Sequence, residues 1–219
     1  MARKMIANSN IPYPNNAVVI DCLAIHKLRI RFLLTIKTKN SNNKSILVVM
    51  KNPSKAHTSQ SDKTVNNVIQ NLSNSYSKIY ITNLFPYYST KANGLLSYFD
   101  DNSNQTIQFI NEMIIQKYSL LADDILIGWG TNTIGMKQKD YDDIIFSVMN
   151  ILLKSNKPLY YVHCCKCSVS ACKNNQPQCT DRCSKKCTRT KRNNQLSCPI
   201  VRYPMHLELW NNNKTMLPY

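Results

Sequence analysis

Eight of the nine cysteines in this chain lie between residues 164 and 198, at spacings that suit metal binding. Cys164 and Cys167 form a C-x2-C pair, and three further cysteines recur at every fourth residue, a spacing that lines one face of a helix. In an intracellular protein, clustered thiols favour metal over disulfides, and thiolates select Zn²⁺ or an iron–sulfur cluster. The segment therefore predicts a metal centre with the ligands Cys164, Cys165, Cys167, Cys172, Cys179, Cys183, Cys187 and Cys198.

The metal and its ligand pairing stay open at the level of sequence. Eight thiolates suffice for two separate zinc sites or for one small cluster with shared sulfurs. An iron–sulfur cluster is the alternative, although the spacing differs from a ferredoxin run. Disulfides are a second alternative and imply secretion, whereas the N-terminus MARKMIANSNIPYPNN lacks the apolar centre of a signal peptide. We expect one or two zinc ions in a cytoplasmic protein, bound by a segment too poor in apolar residues to fold by burial alone.

The chain carries a formal net charge of +16, unevenly placed. Residues 1–63 contain eleven Lys or Arg against two acids, and the cysteine segment adds eight basic residues against Asp181 alone. Such a surface usually serves phosphates, so we expect nucleic acid as a partner. A merely solvated surface is the alternative, since richness in Lys, Asn and Ile is also typical of AT-rich genomes. The predicted phosphate contacts of the cysteine segment are Lys185, Lys186, Arg189, Lys191 and Arg192.

A second group of polar residues follows the apolar run ILVVM at 46–50, which predicts a buried strand. Pro53 cannot donate to a sheet ladder and pushes Asn52 towards an extended conformation, so the strand ends there. Loops after the carboxyl ends of strands in open α/β sheets are where ligands usually bind. The strand is therefore predicted to deliver Asn52, Ser54 and His57 to a binding site. An ordinary turn is the alternative, because Asn, Pro and Ser are common turn residues.

Strand and helix patterns alternate around this loop. Extended stretches are predicted at 17–25 and 28–38, and the turn NSNNKS then leads into the strand at 46–50, which predicts an N-terminal β-hairpin that starts the sheet. Apolar residues alternate with Arg29 and Arg31 in the second stretch, which is typical of a half-exposed strand. Helical spacing at 62–72, 104–121 and 141–153 is interleaved with strands at 77–90, 123–132 and 158–163. The fold class predicted is α/β, a three-layer sandwich with a mainly parallel central sheet and a cysteine-rich metal-binding insertion.

The domain organisation follows from the same patterns. Residues 1–16 are predicted to form a loose arm, and 17–219 a single α/β domain that contains the insertion at 164–198. The chain has no run of about 18 uncharged apolar residues, so no membrane span is expected.

Six short motifs in a fixed order resemble a known family. They are MKNPSKA, DKTVNNVI, TNLFPYYST, GWGT, PLYYVH and YPMHLELW, and they are similar to domain-of-unknown-function family 1643 of bacteria and phages. Members carry Asn-Pro-Ser-Thr-Ala, Asp-Pro-Thr, Asn-Leu-Phe, Trp-Gly and a terminal His-Pro-Leu in that order. The likeness runs from about Leu28 to the C-terminus, except for the cysteine segment, which is not typical of the family.

A more distant layout resembles the uracil-DNA glycosylase superfamily, in which Asn-Pro-Ser also follows a buried strand. The resemblance implies that Asn52 holds the attacking water, that Asn83 pairs with a base edge, and that Phe85 or Tyr87 stacks on the base. It also implies that His206 donates to the charge on the departing base. The chain departs from that pattern ahead of Asn52, where Met50 and Lys51 replace a small glycine, and at Tyr203-Pro204, where a His-Pro is expected.

Two further residues keep two interpretations each. Asp62 either activates a group in the site or caps the following helix. Trp129 either covers a pocket or packs in the core.

Together the patterns predict a nucleic-acid-associated protein with a nucleobase or nucleotide pocket. It is either an enzyme that cleaves an N-glycosidic bond or a non-catalytic nucleic-acid- or protein-binding factor of phage or defence origin.

Overall fold

The computed structural model of the protein describes residues 11–89, 103–130, 137–162 and 216–219. In this part of the chain seven strands form one sheet, which three α-helices cover. The strands are β1 (Ala17–Ile25), β2 (Ile30–Thr38), β3 (Ser45–Met50), β4 (Lys78–Asn83), β5 (Asp124–Gly128), β6 (Leu159–Val162) and β7 (Met216–Pro218). The helices are α1 (Lys63–Leu72), α2 (Ser103–Leu121) and α3 (Gln138–Lys154).

The sheet has the order β1-β2-β4-β3-β5-β6-β7. The pairs β3–β4, β3–β5 and β5–β6 are parallel, and β1–β2, β2–β4 and β6–β7 are antiparallel. The α/β class is confirmed, and an N-terminal hairpin is present, but β1 and β2 form it. The sheet is mixed rather than mainly parallel, because the first two strands and β7 run against the parallel centre. The strands on either side of the NSNNKS turn are not neighbours, since β4 lies between β2 and β3.

The two faces of the sheet bury separate hydrophobic clusters. Residues of α1 pack on one face with Ile46, Val48 and Ile81, while α2 and α3 pack on the other with Leu47 and Val49. Strands β3 and β5 are buried along their whole length, which explains their unbroken apolar sequences. The helices after β3 and after β5 therefore lie on opposite faces, and their loops diverge at the carboxyl edge of the sheet. Such a divergence is the usual place for a ligand crevice in an open α/β sheet.

Strand β2 corrects the prediction of a half-exposed strand. Arg31 is fully buried, and all the other residues of β2 except Lys37 are buried as well. The register with β1 shifts between Leu23 and Ala24, which pair with Leu33 and Arg31, so Phe32 is bypassed. Alternation in sequence missed this burial because the covering groups come from distant segments, not from β2 itself. The half-exposed strand is instead β1, at the edge of the sheet.

The carboxyl ends of the parallel strands and the start of β2 meet at one edge. Met50 at the end of β3 is paired with Asn83 of β4 and with Gly128 of β5. The antiparallel β2 begins at the same edge, where Ile30 bridges Tyr87. This edge is called the carboxyl edge below. Among the described helices, none is long and apolar enough to cross a bilayer.

Candidate functional site

The loop after β3 is held to the loop after β4 by an asparagine side chain. Asn52 Nδ2 donates to the carbonyl oxygens of Pro53, at 3.0 Å, and Ser89, at 2.7 Å. The backbone N–H of Ser89 donates in turn to the carbonyl oxygen of Pro53, at 3.0 Å. Asn52 therefore fixes two loops of the carboxyl edge to each other. That Asn52 also holds an attacking water molecule stays a prediction.

Asp62 both caps α1 and fixes the Asn-Pro-Ser loop. One carboxylate oxygen accepts from the backbone N–H of Val65 at 2.9 Å, which is an N-cap bond. The other oxygen accepts from Ser54 Oγ at 2.5 Å and from the backbone N–H of Ala56 at 3.2 Å. Burial raises the pKa of Asp62, but these hydrogen bonds and the nearby charge of Arg31 outweigh it, so the pKa lies below its usual value. The capping interpretation of Asp62 is thus confirmed.

Arg31 lies in the interior beside this carboxylate. Its Nη1 donates to the carbonyl oxygen of Ala56 at 2.7 Å, and its Cζ lies 5.8 Å from the centre of the Tyr88 ring. The Nε and Nη2 groups are buried and have no hydrogen-bond partner among the described residues. The guanidinium group of arginine is always charged, so burying two of its donor groups without an acceptor costs free energy.

A cleft of about 360 Å³ opens at the carboxyl edge. Tyr88, whose ring lies near Arg31, is part of its lining, whereas Arg31 itself is not. The wall of the cleft comes from three segments: the turn between β1 and β2, the loop after β3, and the loop after β4. Its lining includes Ser54, Tyr88 and four residues with basic side chains, namely His26, Arg29, Lys55 and His57. No carboxylate of the described residues lines it.

The turn that carries Arg29 is fixed by backbone bonds. Arg29 has a φ of 55°, in the left-handed region, where its N–H donates to the carbonyl oxygen of His26 at 3.0 Å. Its own carbonyl oxygen accepts from the N–H of Tyr88 at 2.8 Å. Burial raises the pKa of the Tyr88 hydroxyl, and Arg31 acts in the opposite direction. The backbone around the cleft is therefore fixed by hydrogen bonds, and its lining carries the exposed cations Arg29 and Lys55.

The residues predicted to contact a base lie deeper at the same edge. Asn83 is fully buried, and neither its side-chain oxygen nor its nitrogen has a partner among the described residues. Phe85 and Trp129 are also fully buried within the core cluster on the α2 and α3 side. Tyr87 is nearly buried and donates its hydroxyl to Asn104 Oδ1 at 2.7 Å. Stacking on a base by these rings stays a prediction, since none presents an open face in this structure.

Helix α2 braces this deeper part of the edge. Asn111 Nδ2 donates to the carbonyl oxygens of Asn83, at 2.9 Å, and Leu84, at 3.2 Å. Gln108 Nε2 donates to the carbonyl oxygen of Leu84 at 3.1 Å. On the far side, the Tyr141 hydroxyl of α3 donates to the carbonyl oxygen of Gly130 at 3.0 Å. The loops after β4 and β5 are thus positioned by side chains of the helices that follow them.

The remaining predicted site residues lie outside the described part of the chain. These are His206, the eight cysteines of residues 164–198 and the five basic residues predicted to contact phosphate. Their attachment points are described: β6 ends at Val162 and β7 begins at Met216, and these two residues are paired. Because β6 is parallel to β5, the chain leaves and re-enters the sheet at the carboxyl edge. No cluster of metal ligands occurs within the described ranges, so the zinc and iron–sulfur alternatives stay predictions.

The sequence analysis missed the cleft and the basic groups that line it. Lys55 follows the predicted Asn-Pro-Ser motif directly, whereas Arg29 falls inside the strand predicted at 28–38 and lies in the structure in the turn before β2. A positive residue next to a strand-end motif was therefore the available signal. Nothing in the local pattern marked Arg31, which has the pattern of a solvent-facing residue in an alternating strand.

The fold and this edge define an α/β protein with a mixed sheet and a cleft lined by basic residues at the ends of its parallel strands. The chain belongs to the family described as protein of unknown function (DUF1643), whose model matches residues 31–195. The matched range begins at Arg31 and includes the loops after β3, β4 and β5. No match was found among curated proteins or among solved structures.

Proposed function

We propose that the protein binds nucleic acid and holds a nucleobase or nucleotide at the carboxyl edge of its sheet. The observation that carries this proposal is the cleft, whose lining includes Arg29 and Lys55. The buried Arg31 lies near the ring of Tyr88, which also lines the cleft. The cleft volume of about 360 Å³ falls in the range of small-molecule pockets, roughly 300–1,000 Å³. A phosphate-bearing ligand suits this arrangement because guanidinium and ammonium groups are the usual phosphate contacts in proteins.

The charge of the whole chain supports the same proposal. A net charge of +16 provides attraction to nucleic acid that does not depend on sequence. The predicted phosphate contacts Lys185, Lys186, Arg189, Lys191 and Arg192 belong to the stretch of chain between Val162 and Met216, two residues that pair at the carboxyl edge. Zinc bound by the cysteines of that segment would fold it beside the cleft, which is part of the proposal.

The test is the salt dependence of binding to labelled oligonucleotides, measured by fluorescence anisotropy. We expect the logarithm of the association constant to fall linearly with the logarithm of salt concentration. The double variant Arg29→Gln/Lys55→Gln should weaken binding and reduce the slope by about 0.7 for each phosphate of a single strand that the variant no longer neutralises. The matched control is Lys139→Gln/Lys154→Gln, which removes the same charge from exposed positions on α3. Binding that does not depend on salt concentration, or an equal loss of affinity in both double variants, would contradict the proposal.

Cleavage of an N-glycosidic bond is the second candidate function. It is favoured by Asn83, whose fully buried amide has no partner among the described residues and could pair with a base edge. The alternative is a binding factor with no turnover. Oligonucleotides that contain uracil or another modified base distinguish the two, since alkali cleaves the strand at an abasic product. A catalyst should keep its affinity and lose turnover in Asn52→Ala, because Asn52 is the residue predicted to hold the attacking water. Absence of abasic product with every modified base tested favours the binding factor.

A further inference from the structure

The unpaired donors of Arg31 point to a specific ligand group. Nη1 is already bonded to the carbonyl oxygen of Ala56, but Nε and Nη2 have no partner among the described residues. The nearby carboxylate of Asp62 is committed to other donors, namely Ser54, Val65 and Ala56. A charged donor pair that is fully buried and unpaired is costly, so an acceptor with two oxygens would suit it best. Guanidinium forks match carboxylate and phosphate oxygens in this way.

The neighbourhood of these donors selects phosphate over carboxylate. Tyr88, whose ring lies near Arg31, lines the cleft, and Arg29, Lys55 and two histidines line it as well. No acid lines the cleft among the described residues. A group with two negative charges gains more from this cluster of cations than a group with one.

The shape of the cleft restricts the ligand further. A volume of about 360 Å³ accommodates a ligand of nucleotide size, whereas a double helix is far wider. We propose that Arg29 and Lys55, which line the cleft, bind a phosphate monoester together with the buried Arg31 behind Tyr88, and that a free nucleotide or the end of a strand carries this group. The biological source of this phosphate, a nucleotide or a nucleic acid, rests on the proposed function. The inference adds that the cleft recognises a terminal phosphate rather than the interior of a strand.

The first test uses isothermal titration calorimetry on the full chain, with a nucleoside 5′-monophosphate, the matching nucleoside and inorganic phosphate as probes. We expect the monophosphate to bind at least about tenfold more tightly than the nucleoside, which corresponds to about 1.4 kcal/mol. Arg29→Gln and Lys55→Gln should each reduce this preference, while Lys154→Gln on α3 should retain it. Arg31→Lys keeps the charge without the planar fork and should also lose the preference. If that buried variant fails to fold, the two surface variants still decide.

The second test compares one labelled oligonucleotide with and without a phosphate at its 5′ or 3′ end. Tighter binding of a phosphorylated end supports a strand end as the source of the group. Binding of the monophosphate without binding of any strand supports the phosphate site and overturns the proposed nucleic-acid function. Equal binding of phosphorylated and unphosphorylated strands, with no preference for monophosphate over nucleoside, overturns the phosphate site and leaves the proposed function standing.

Discussion

At the scale of single residues, the carboxylate of Asp62 connects stability to the site. It accepts hydrogen bonds from the start of α1 and from the loop after β3, and it lies near the buried charge of Arg31. Its pKa is below its ordinary value of 3.8 because the bonds and the charge outweigh burial. A carboxyl group with a lowered folded-state pKa stabilises the fold at pH values above its unfolded-state pKa.

Asp62→Asn tests this coupling. Asparagine is a good N-cap, so the loss should come mainly from the charge and from the bonds of the second oxygen. We expect the free energy of unfolding to fall by about 1–3 kcal/mol at pH 7. The difference from the unmodified protein should shrink below about pH 5, as the wild-type carboxyl group becomes protonated first in the unfolded state and then, at still lower pH, in the folded state. Urea unfolding at several pH values measures it.

The control for Asp62→Asn is Asp143→Asn, at an exposed position of α3. That change removes the same charge without a buried partner, so its effect should stay within about 0.5 kcal/mol. Asp62→Asn could instead lower the free energy of unfolding by the same amount at pH 7 and at roughly pH 3. That outcome would mean that the charge of Asp62 does not explain its contribution to stability.

At the scale of elements, the strand-end loops depend on the helices that follow them. Strand β4 ends among buried polar groups, and the carbonyl oxygens of Asn83 and Leu84 both accept from Asn111 of α2. Without the Asn111 amide these two oxygens would lose hydrogen-bond donors while still being covered by α2. Helix α2 thus fixes where Asn83, Phe85 and Tyr87 lie relative to the cleft.

Asn111→Ala tests this dependence. It removes both hydrogen bonds from the fully buried amide, so we expect a loss of about 1–3 kcal/mol in the free energy of unfolding. Asn150→Ala is the matched control, because Asn150 is exposed on α3; its effect should be within about 0.5 kcal/mol. Urea denaturation compares the two. Equal effects in both variants would show that α2 is not needed to hold the end of β4.

At the scale of the whole molecule, the chain combines an α/β sheet with a segment of different composition. The described sheet is supported by two hydrophobic clusters and contains no group of metal ligands within those ranges. Residues 164–198 have eight cysteines and few apolar residues, so their folding free energy is predicted to come from metal. The sheet and this segment should therefore respond differently to a chelator.

Metal content tests this division. We expect one or two zinc ions per chain by elemental analysis, lost on treatment with a chelator while the unfolding transition of the sheet is retained. Cys164→Ser/Cys167→Ser should lower the zinc content, whereas Cys22→Ser should not, because Cys22 lies in β1 with a half-buried thiol whose pKa is raised mainly by burial. An iron signal and a visible absorbance band would favour the iron–sulfur alternative. A chain with no bound metal and no free thiols in this segment would favour disulfides.

Local patterns in the sequence were enough for most of the elements. The buried run at 46–50 predicts β3 because a strand covered on both faces has no polar positions. The apolar spacing after Asp62 predicts α1 and its cap, and both lie where expected. The six ordered motifs also indicated the family, since their order along the chain is itself a property of the sequence.

Only the tertiary structure decided how distant segments combine. The place of β4 between β2 and β3, the antiparallel outer strands and the burial of Arg31 all depend on contacts between residues far apart in sequence. Periodicity reports which side of an element is apolar, but it does not report what covers that side. Arg31 shows the difference. The sequence determined a strand with an arginine in it, and the fold decided that this arginine is buried, with the loop after β3 accepting its hydrogen bond.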